Sequence, residues 1–368
     1  MTAQRAVDVV VAGGGPAGAA AAALLAGAGR RVVLCERTGG PHPKVCGEFL
    51  SGEAAGPLSR LGLDPARLGA VPVERLRLAG PGGEASCRLP FAAWGLSRDR
   101  LDEALLDAAA AHGAELRRGT AVRAVTPAGD ALRVEASGES LTAARVLLAT
   151  GKHDLRGHRR PPGRVNDLIG FKQHWRLAPS ARAALDGHVE MHLFAGGYAG
   201  LQPVEDGRVN LCLVIGRARF ERLGRDWAAV LAHVGAASPL FAGRLAGGAP
   251  CRPRPLAVAG IPYGFVQRGC PHPGLHRVGD QLAVIPSLTG DGMAIALDSA
   301  VRAAGDVLLD RPPADGGPYA RQVSLAHAAA RVATSGAGGT LATAFAGLAP
   351  GLARRLVGAL ARGTRVAG

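Results

Sequence analysis

The sequence lacks most features that mark a nucleic-acid-binding protein. Aromatic residues make up only 4% of the chain, and its net charge of +14 is spread without any run of five or six like charges. Surfaces that bind nucleic acids usually combine basic clusters with aromatic side chains on which bases stack. Only three lysines are present, so the positive charge comes mainly from scattered arginines. We therefore expect no nucleic-acid partner.

The cysteines also lack the spacings that indicate metal or disulfide chemistry. None of the six forms a C-x-x-C pair, and Cys270, His272 and His276 lie in a Pro/Gly-rich segment without a second cysteine pair. We therefore expect no metal site. The first residues show no charged and apolar pattern of a signal peptide. A reduced, cytoplasmic protein is the expectation that follows.

Glycine, in contrast, is abundant, and three of the 54 glycines form the clearest motif. Residues 6–12 are apolar apart from Asp8 and rich in β-branched valine, as in a buried strand. Gly13, Gly15 and Gly18 follow at once with G-x-G-x-x-G spacing, and an alanine-rich helix and a second buried strand come next. Glu36 ends that strand. The pattern predicts a βαβ unit that binds a dinucleotide.

Each residue of this motif has a physical role in the prediction. Gly13 permits a tight turn, Gly15 lets the backbone approach a pyrophosphate, and Gly18 lets the helix pack closely on the strand. Free N–H groups and the dipole at the start of the helix then favour the phosphates. Glu36 is predicted to accept hydrogen bonds from the ribose hydroxyls.

A second glycine-rich segment lies near the other end of the chain. A strand is predicted to end at Gly279 and Asp280, and a loop containing Pro286 leads to Gly290 and Gly292, which open a helix. We expect Asp280 to bond a ribityl hydroxyl. The start of the helix is expected to face a flavin pyrimidine ring, where its dipole would stabilise negative charge.

The chain between these motifs predicts a helix and two groups of strands. Residues 97–112 have a Ser97 cap and apolar residues at helical spacing, and residues 145–151 form a buried strand that ends in glycine. Asp206 and Gly207 indicate a hairpin within a separate antiparallel sheet. The runs assigned to that sheet are 168–177, 188–194, 198–203 and 209–215.

Taken together, these segments resemble the flavoprotein monooxygenase superfamily of the para-hydroxybenzoate hydroxylase fold, and within it the geranylgeranyl reductase-like branch. The resemblance covers about residues 6–310. It rests on Gly13–Gly18 with Glu36, on the Lys-Val-Cys-Gly-Glu-Phe-Leu-Ser stretch at 44–51, on Arg98, and on the segment from Gly279 to Gly292.

The resemblance implies an α/β fold (α+β overall) with a split architecture. A Rossmann-like FAD-binding domain is interrupted by a mostly antiparallel β-sheet substrate domain and followed by a helical C-terminal tail. The predicted boundaries are 1–72, 96–160 and 269–312 for the FAD-binding domain, 73–95 and 161–268 for the substrate domain, and 313–368 for the C-terminal helical segment.

The cofactor implied by the resemblance is FAD. Besides the glycines, Glu36 and Asp280, the residues assigned to it are Pro16, Ala17, Arg37, Lys44, Cys46, Gly47, Arg98, Thr150, Gly151, Pro286 and Met293. The Asp-Gly motif with a downstream Arg that NAD(P)H-dependent hydroxylases carry is replaced here by residues 149–156. The electron source is therefore expected to be NADPH, NADH or a separate reductase partner.

Two groups of residues are candidates for catalysis and substrate binding. By resemblance, Cys46 and Glu48 lie beside the isoalloxazine, where a thiol and a carboxylate could relay protons, although Cys46 could instead simply pack beneath the flavin. Trp175, Tyr198 and Gln202 lie on the predicted sheet, together with His174. Alternate positions of that sheet should face the flavin, and the others should face the core.

The favoured function at this stage is monooxygenation of an apolar aromatic or polyketide-like metabolite by reduced FAD and dioxygen. The alternative is ene-reduction of an isoprenoid (geranylgeranyl) chain, and a third is a non-catalytic dinucleotide-fold binding protein. The Trp-x-Trp-x-x-Ile-Pro motif of flavin halogenases does not occur, and residues 197–203 occupy the comparable strand. Halogenation is therefore not expected.

The end of the chain has an unusual composition. Residues 332–353 carry no charge but are too rich in Gly, Ala and Thr for a convincing membrane span. Leucines and Phe345 recur between 341 and 360 at spacings of three and four, with arginines nearby. The pattern predicts a helix that either packs on the body of the protein or contacts a membrane surface peripherally.

Overall fold

The computed structural model describes residues 6–335, together with residues 339, 340, 343 and 358. The described strands are β1 (Ala6–Ala12), β2 (Val32–Glu36), β3 (Phe49–Leu50), β4 (Val71–Gly80), β5 (Gly83–Gly95), β6 (Glu115–Arg118), β7 (Val122–Ala128), β8 (Ala131–Ala136), β9 (Glu139–Leu148), β10 (Leu168–Arg176), β11 (Gly187–Phe194), β12 (Gly197–Pro203), β13 (Val209–Gly216), β14 (Ala249–Pro250), β15 (Leu256–Ala259) and β16 (Leu275–Arg277). The described α-helices are α1 (Pro16–Gly27), α2 (Ala55–Arg60), α3 (Arg98–Ala111), α4 (Pro179–Ala183), α5 (Arg217–Arg222), α6 (Trp227–Ala237), α7 (Pro239–Leu245), α8 (Gly292–Leu308) and α9 (Ala320–Thr334).

The first sheet contains the predicted βαβ unit. Its strand order is β6-β2-β1-β9, and these strands are parallel. The first half of β9 pairs antiparallel with β8, which pairs with β7, whereas its second half pairs parallel with β16. Helix α1 is almost fully buried and packs on α3 and α8, because its small alanines allow close approach. The carboxyl ends of β1, β9 and β16 therefore converge at one edge.

The second sheet has the order β14-β10-β13-β12-β11-β4-β5-β3, with β15 also paired to β10. Only the β11–β4 pair is parallel among these described strands, so the sheet is mostly antiparallel, as predicted. Helices α6 and α7 cover one of its faces with a core that includes Val230 and Phe241. The fold class is confirmed: an α/β domain built on the βαβ unit, a mostly antiparallel sheet and a C-terminal helix, α9.

Strand β9 differs from its prediction in both length and position. It begins at Glu139 and ends at Leu148, whereas the sequence indicated residues 145–151. The earlier start follows from a hairpin with β8, in which Ser137 and Gly138 turn the chain with positive φ. Residues 140–143 alternate between polar and apolar side chains, so a window that seeks a continuous apolar run misses the start of this strand.

Among the described residues, no helix is long and apolar enough to cross a membrane. The helix predicted between 341 and 360 lies almost wholly outside the described residues. Membrane contact by that segment therefore stays a prediction.

Candidate functional site

The glycine-rich loop after β1 has the close approaches that its sequence predicts. Gly13 has φ +111°, and a Cβ there would overlap the carbonyl oxygen of Ala149 at the end of β9. A Cβ at Gly18 would overlap the carbonyl oxygen of Gly13. Both positions therefore require glycine for the fold of the loop itself. Pro16 and Ala17 begin α1 and are buried.

Gly15 is different, because no backbone crowds it. The nearest atoms to a Cβ at Gly15 would be Arg98 Nη2 at 3.5 Å and Lys44 Nζ at 3.9 Å. Two cations thus face the bare backbone at the amino end of α1. The space that a side chain would fill here has the charge and the free N–H groups that a pyrophosphate needs.

Asp102 holds these two cations in place. Its carboxylate accepts hydrogen bonds from Arg98 Nε (2.7 Å) and Nη2 (2.9 Å) and from Lys44 Nζ (3.0 Å). Burial alone would raise the pKa of Asp102, but the two cations outweigh this effect and lower it. Asp102 thereby orients both side chains toward Gly15. The predicted cofactor residues Arg98 and Lys44 are therefore brought together, and the anchor Asp102 was not predicted from the sequence.

Glu36 holds the glycine loop through its carboxylate. Its Oε2 accepts a hydrogen bond from the N–H of Gly14 (2.7 Å), and its Oε1 accepts from the N–H and hydroxyl of Thr38. Burial would raise the pKa of Glu36, but these bonds and Lys44 lower it, so the group is ionised at neutral pH. A role toward the ribose hydroxyls stays a prediction.

Arg160 joins residues 152–154 to the glycine-rich segment that begins at Gly279, and it was not singled out in the sequence. Its buried guanidinium donates to the Asp154 carboxylate (2.7 Å) and to the backbone carbonyls of Asp280 (2.7 Å) and Lys152 (3.0 Å). Gln281 adds a bond to the Gly151 carbonyl at 2.9 Å. An arginine in a proline-rich crossing gives no local signal for such a role, since its partners are distant in sequence.

The remaining predicted cofactor residues lie around these segments. Gly279 has φ +59°, and a Cβ there would lie 3.1 Å from Cβ of Ala17. The glycine-rich segment that begins at Gly279 therefore contacts the start of α1. Thr150 bonds the His153 carbonyl at 2.6 Å, and Arg37 Nη2 lies 2.9 Å from His153 Nε2. These contacts form a continuous edge beside the glycine loop.

Helix α8 begins as predicted, at Gly292 and Met293 after the turn that Pro286 precedes. Gly290 has φ +77°, and a Cβ there would lie 2.6 Å from Cδ1 of Phe49. This close approach brings the stretch at 44–51 against the amino end of α8. The two segments that the resemblance assigns to the flavin are therefore adjacent.

Asp291, at the start of α8, is a buried carboxyl group that should make the stability of the protein depend on pH. Burial raises the pKa of Asp291 to about 7, since Thr289 offsets only part of the burial effect and Glu53 repels the ionised form. The ordinary value is 3.8. The folded chain thus keeps this proton to a higher pH than the unfolded chain, and the free energy of unfolding falls between about pH 4 and pH 7.

We expect Asp291→Asn to stabilise the FAD-free protein by about 2–4 kcal/mol at pH 8 and to have little effect at pH 4. Urea unfolding at the two pH values measures the difference. Asp130→Asn, at an exposed position, is the matched control and should be neutral at both. Equal stabilisation by Asp291→Asn at pH 4 and pH 8 would contradict the assignment.

Residues 45–48 are clamped onto the second sheet by side chains that reach across from it. Asn210 Nδ2 donates to the carbonyls of Cys46 (3.0 Å) and Gly47 (2.8 Å), and Gln202 Nε2 donates to the carbonyl of Glu48 (2.6 Å). Lys152 donates to the carbonyl of Val45. The loop that carries the two candidate catalytic residues is therefore fixed by its backbone, and Cys46 itself is partly exposed.

The Glu48 side chain forms the centre of a buried ionic cluster. It is 0% exposed, and its carboxylate accepts from Lys172 Nζ, from His174 Nε2 (2.6 Å) and from the backbone N–H of Arg98 (2.8 Å). Burial would raise the pKa of Glu48, but Lys172 and His174 outweigh it and hold the pKa below its usual range. Glu48 therefore anchors cations as a carboxylate and does not donate a proton at neutral pH.

The strand register decides which predicted sheet residues join this cluster. His174 pairs with Asn210, and Asn210 pairs with Gln202, so these side chains share the face toward residues 45–48. Trp175 lies on the opposite face, in the core beneath α6 and α7. The sequence prediction that Trp175 contacts substrate is therefore not supported by the structure. Side chains alternate along a strand, and the sequence shows the alternation without showing which face is the core.

The same face carries a cluster of hydroxyl groups. Tyr263 Oη lies 2.7 Å from Ser287 Oγ, and Tyr198 is buried beside them. Burial raises the pKa of Tyr198 and of Tyr263, so both phenols stay protonated at neutral pH. Ser287 belongs to the turn before α8. Tyr198 and Gln202 thus lie on the sheet face toward residues 45–48, and their contact with a substrate stays a prediction.

Comparison with known proteins now decides the family. Residues 6–147 match the family described as FAD binding domain. The chain is 30% identical over 316 residues to the menaquinone reductase of Mycolicibacterium smegmatis. This match covers 79% of this chain and 74% of that protein. The chain belongs to the same family as this menaquinone reductase and is an FAD-dependent oxidoreductase.

Solved structures show the same fold for this flavoprotein. The flavin-dependent brominase Bmp2 superposes with a TM-score of 0.74 at 18% identity, and the match covers 96% of this chain and 94% of the brominase. The halogenase PltM gives a TM-score of 0.72 at 19% identity, with 89% and 75% covered. At these identities the likeness concerns the fold alone. The two cations at Gly15 and the glycine contacts described above fit FAD.

Proposed function

We propose that this flavoprotein is an ene-reductase that saturates a carbon–carbon double bond of an apolar, isoprenoid-type substrate. The observation that carries the proposal is the buried cluster of Lys172, His174 and Glu48 next to Cys46. In such a reaction, bound reduced FAD supplies a hydride to one carbon, and the protein supplies a proton to the other, which leaves the FAD oxidised.

The proposed donor of that proton is the thiol of Cys46. Cys46 is partly exposed, its Sγ accepts the backbone N–H of Glu48 at 3.4 Å, and it is in hydrogen-bond contact with the side chain of Arg98. Lys172 and His174 both contact the Glu48 carboxylate and so fix the loop that carries Cys46. In this proposal, the Cys46 thiol donates its proton to the substrate, the Arg98 guanidinium stabilises the thiolate that remains, and solvent restores the proton after the product leaves.

The surroundings of the cluster suit an apolar substrate. Met191, Leu193, Tyr198 and Val214 form a buried apolar group on the same sheet face, and Leu288, just before α8, packs against it. Such a lining excludes water from the reacting atoms. The relatives named menaquinone reductase support reduction of an apolar molecule, and their similarity extends over most of this chain.

Oxygenation, which the sequence favoured, is the second candidate. The observation in its favour is the hydroxyl cluster of Tyr198, Tyr263 and Ser287, which could orient a phenolic group through hydrogen bonds. The same hydroxyls could donate hydrogen bonds to the oxygens of a quinone head group, so this cluster is compatible with both reactions. The electron source, whether NADPH, NADH or a reductase partner, is part of the proposal in either case.

An anaerobic assay tests the proposed function. We expect protein reduced with dithionite to be reoxidised without oxygen by menaquinone or geranylgeranyl diphosphate, with the two added hydrogens on carbons of the prenyl chain and not on the oxygens of a quinone head group. Cys46→Ser should slow this step about 100-fold or more, the usual contribution of a general acid. Cys251→Ser, at an exposed thiol, is the matched control and should react normally. Replacing dithionite with NADPH or NADH identifies the electron source.

Two results would contradict the proposal. Substrate-dependent oxygen consumption with a product one oxygen heavier would establish the second candidate instead. An unchanged rate for Cys46→Ser, with unchanged FAD content, would remove the thiol from the reaction.

A further inference from the structure

A groove of about 460 Å³ lies on β4 and β5, outside the cofactor segments. Its volume is within the range of small-molecule sites. The proposed reaction assigns no role to it. Its lining is Pro72, Val73, Glu74, Arg88, Leu89, Pro90, Phe91, Ala92, Ala93 and Trp94.

The groove results from an interruption in the pairing of β4 with β5. Val73 pairs with Ala93, but Arg75 already pairs with Arg88, so residues 89–92 of β5 have no partners on β4. The excess residues, Leu-Pro-Phe-Ala, bulge away from the ladder, and Pro90 has no N–H to donate there. Bulges of this kind re-aim side chains and are frequent near functional sites.

An apolar packing surface leads from the groove toward the stretch at 44–51. The buried groove residues Val73, Leu89 and Ala93 pack with Phe49 and Leu76. Leu76 also packs in the apolar group of Met191, Leu193, Tyr198 and Val214 described above, which Ala333 of α9 joins. These contacts join buried side chains along one face of the sheet.

Phe49 marks the point where this surface reaches the cofactor segments. Its ring lies against Gly290, at the amino end of α8, and it follows Glu48 directly. A molecule that extends from the groove past Phe49 would therefore arrive at the loop of Cys46.

The charges of the groove favour an uncharged occupant. Its two charged residues, Glu74 and Arg88, are largely exposed at the rim and lie 3.6 Å apart as an ion pair. The other lining residues are apolar. An extended hydrocarbon chain matches this lining, because it gains from burial and needs no hydrogen-bond partners.

We propose that this groove binds the distal part of an elongated apolar substrate, of the isoprenoid class, while its reacting end lies at Cys46. The inference rests on the proposed function and adds the site that selects for chain length. Long chains fill both the groove and the reaction site, whereas short chains fill the reaction site alone.

The test fills the groove and compares two chain lengths. Ala92 is an exposed residue of the lining, so Ala92→Trp adds bulk where the fold has room. Binding of geraniol and geranylgeraniol to the FAD-loaded protein is measured by calorimetry. We expect the affinity of the variant for geranylgeraniol to be lower by about tenfold or more. Its affinity for geraniol should equal that of the unmodified protein. Ala259→Trp, on exposed β15 of the same sheet, is the matched control.

The outcomes separate the groove from the reaction. Unchanged geranylgeraniol binding in Ala92→Trp, equal weakening for both alcohols, or no binding of either alcohol by the unmodified protein would each overturn the groove assignment. If the unmodified protein binds both alcohols with the expected length dependence but the anaerobic assay shows no reduction, the proposed function fails and the groove assignment stands.

Discussion

Gly15→Ala is expected to weaken FAD binding by about 10- to 100-fold while leaving the fold intact. The added methyl group meets no backbone and only the ends of Arg98 and Lys44, so the FAD-free protein should unfold at its usual temperature. It occupies the space where a pyrophosphate would approach the amino end of α1. Titration of the FAD-free protein, followed by flavin fluorescence, measures the affinity.

Gly39→Ala is the matched control for this experiment. A Cβ at Gly39 would have no neighbour within 4 Å, and its φ is not in the left-handed region, so both stability and FAD affinity should be unchanged. If Gly15→Ala binds FAD as tightly as Gly39→Ala does, the pyrophosphate does not lie between Gly15 and the two cations.

Glu48→Gln is expected to lower the free energy of unfolding by about 3–5 kcal/mol, the usual cost of removing one partner from a buried ion pair. Lys172 is only 1% exposed, so its ammonium would be left buried without a counter-charge. Glutamine keeps the size of the side chain, and it can adopt the same positive φ of 59° at a similar cost. Urea unfolding at pH 7 measures the change.

Two further variants identify the cause of that loss. Glu48→Gln combined with Lys172→Met removes both charges and should recover much of the lost stability, because the unpaired ammonium is gone. Glu221→Gln, at a partly exposed carboxylate paired with Arg225, should change stability little. An unfolding midpoint for Glu48→Gln equal to that of Glu221→Gln would show that the cluster contributes nothing to the fold.

The parts of this molecule that sequence reasoning predicted well are those determined locally. Gly13, Gly15 and Gly18 lie within six residues of one another, and their roles follow from the turn that they make. The Ser97 cap is similarly local: its hydroxyl accepts the N–H of Arg100 at 3.3 Å.

What the sequence did not predict depends on distant pairing. Lys172 and Asn210 are polar residues in otherwise apolar strands, which is a signal of special surroundings, but their partners lie more than 120 residues away. The choice between His174 and Trp175 as the residue facing the cofactor depends on which face α6 and α7 cover. That is a property of the assembled sheet and not of strand β10 alone.

Arg98 belongs to both halves of the site. Its guanidinium faces Gly15 and is held by Asp102, while its backbone N–H is bonded to the carboxylate of Glu48. A displacement of this single residue by the cofactor is therefore transmitted, through one peptide unit, to the group that anchors Lys172 and His174. We therefore expect FAD and a ligand on the sheet face to change each other's affinity, and by reciprocity the factor should be the same in both directions.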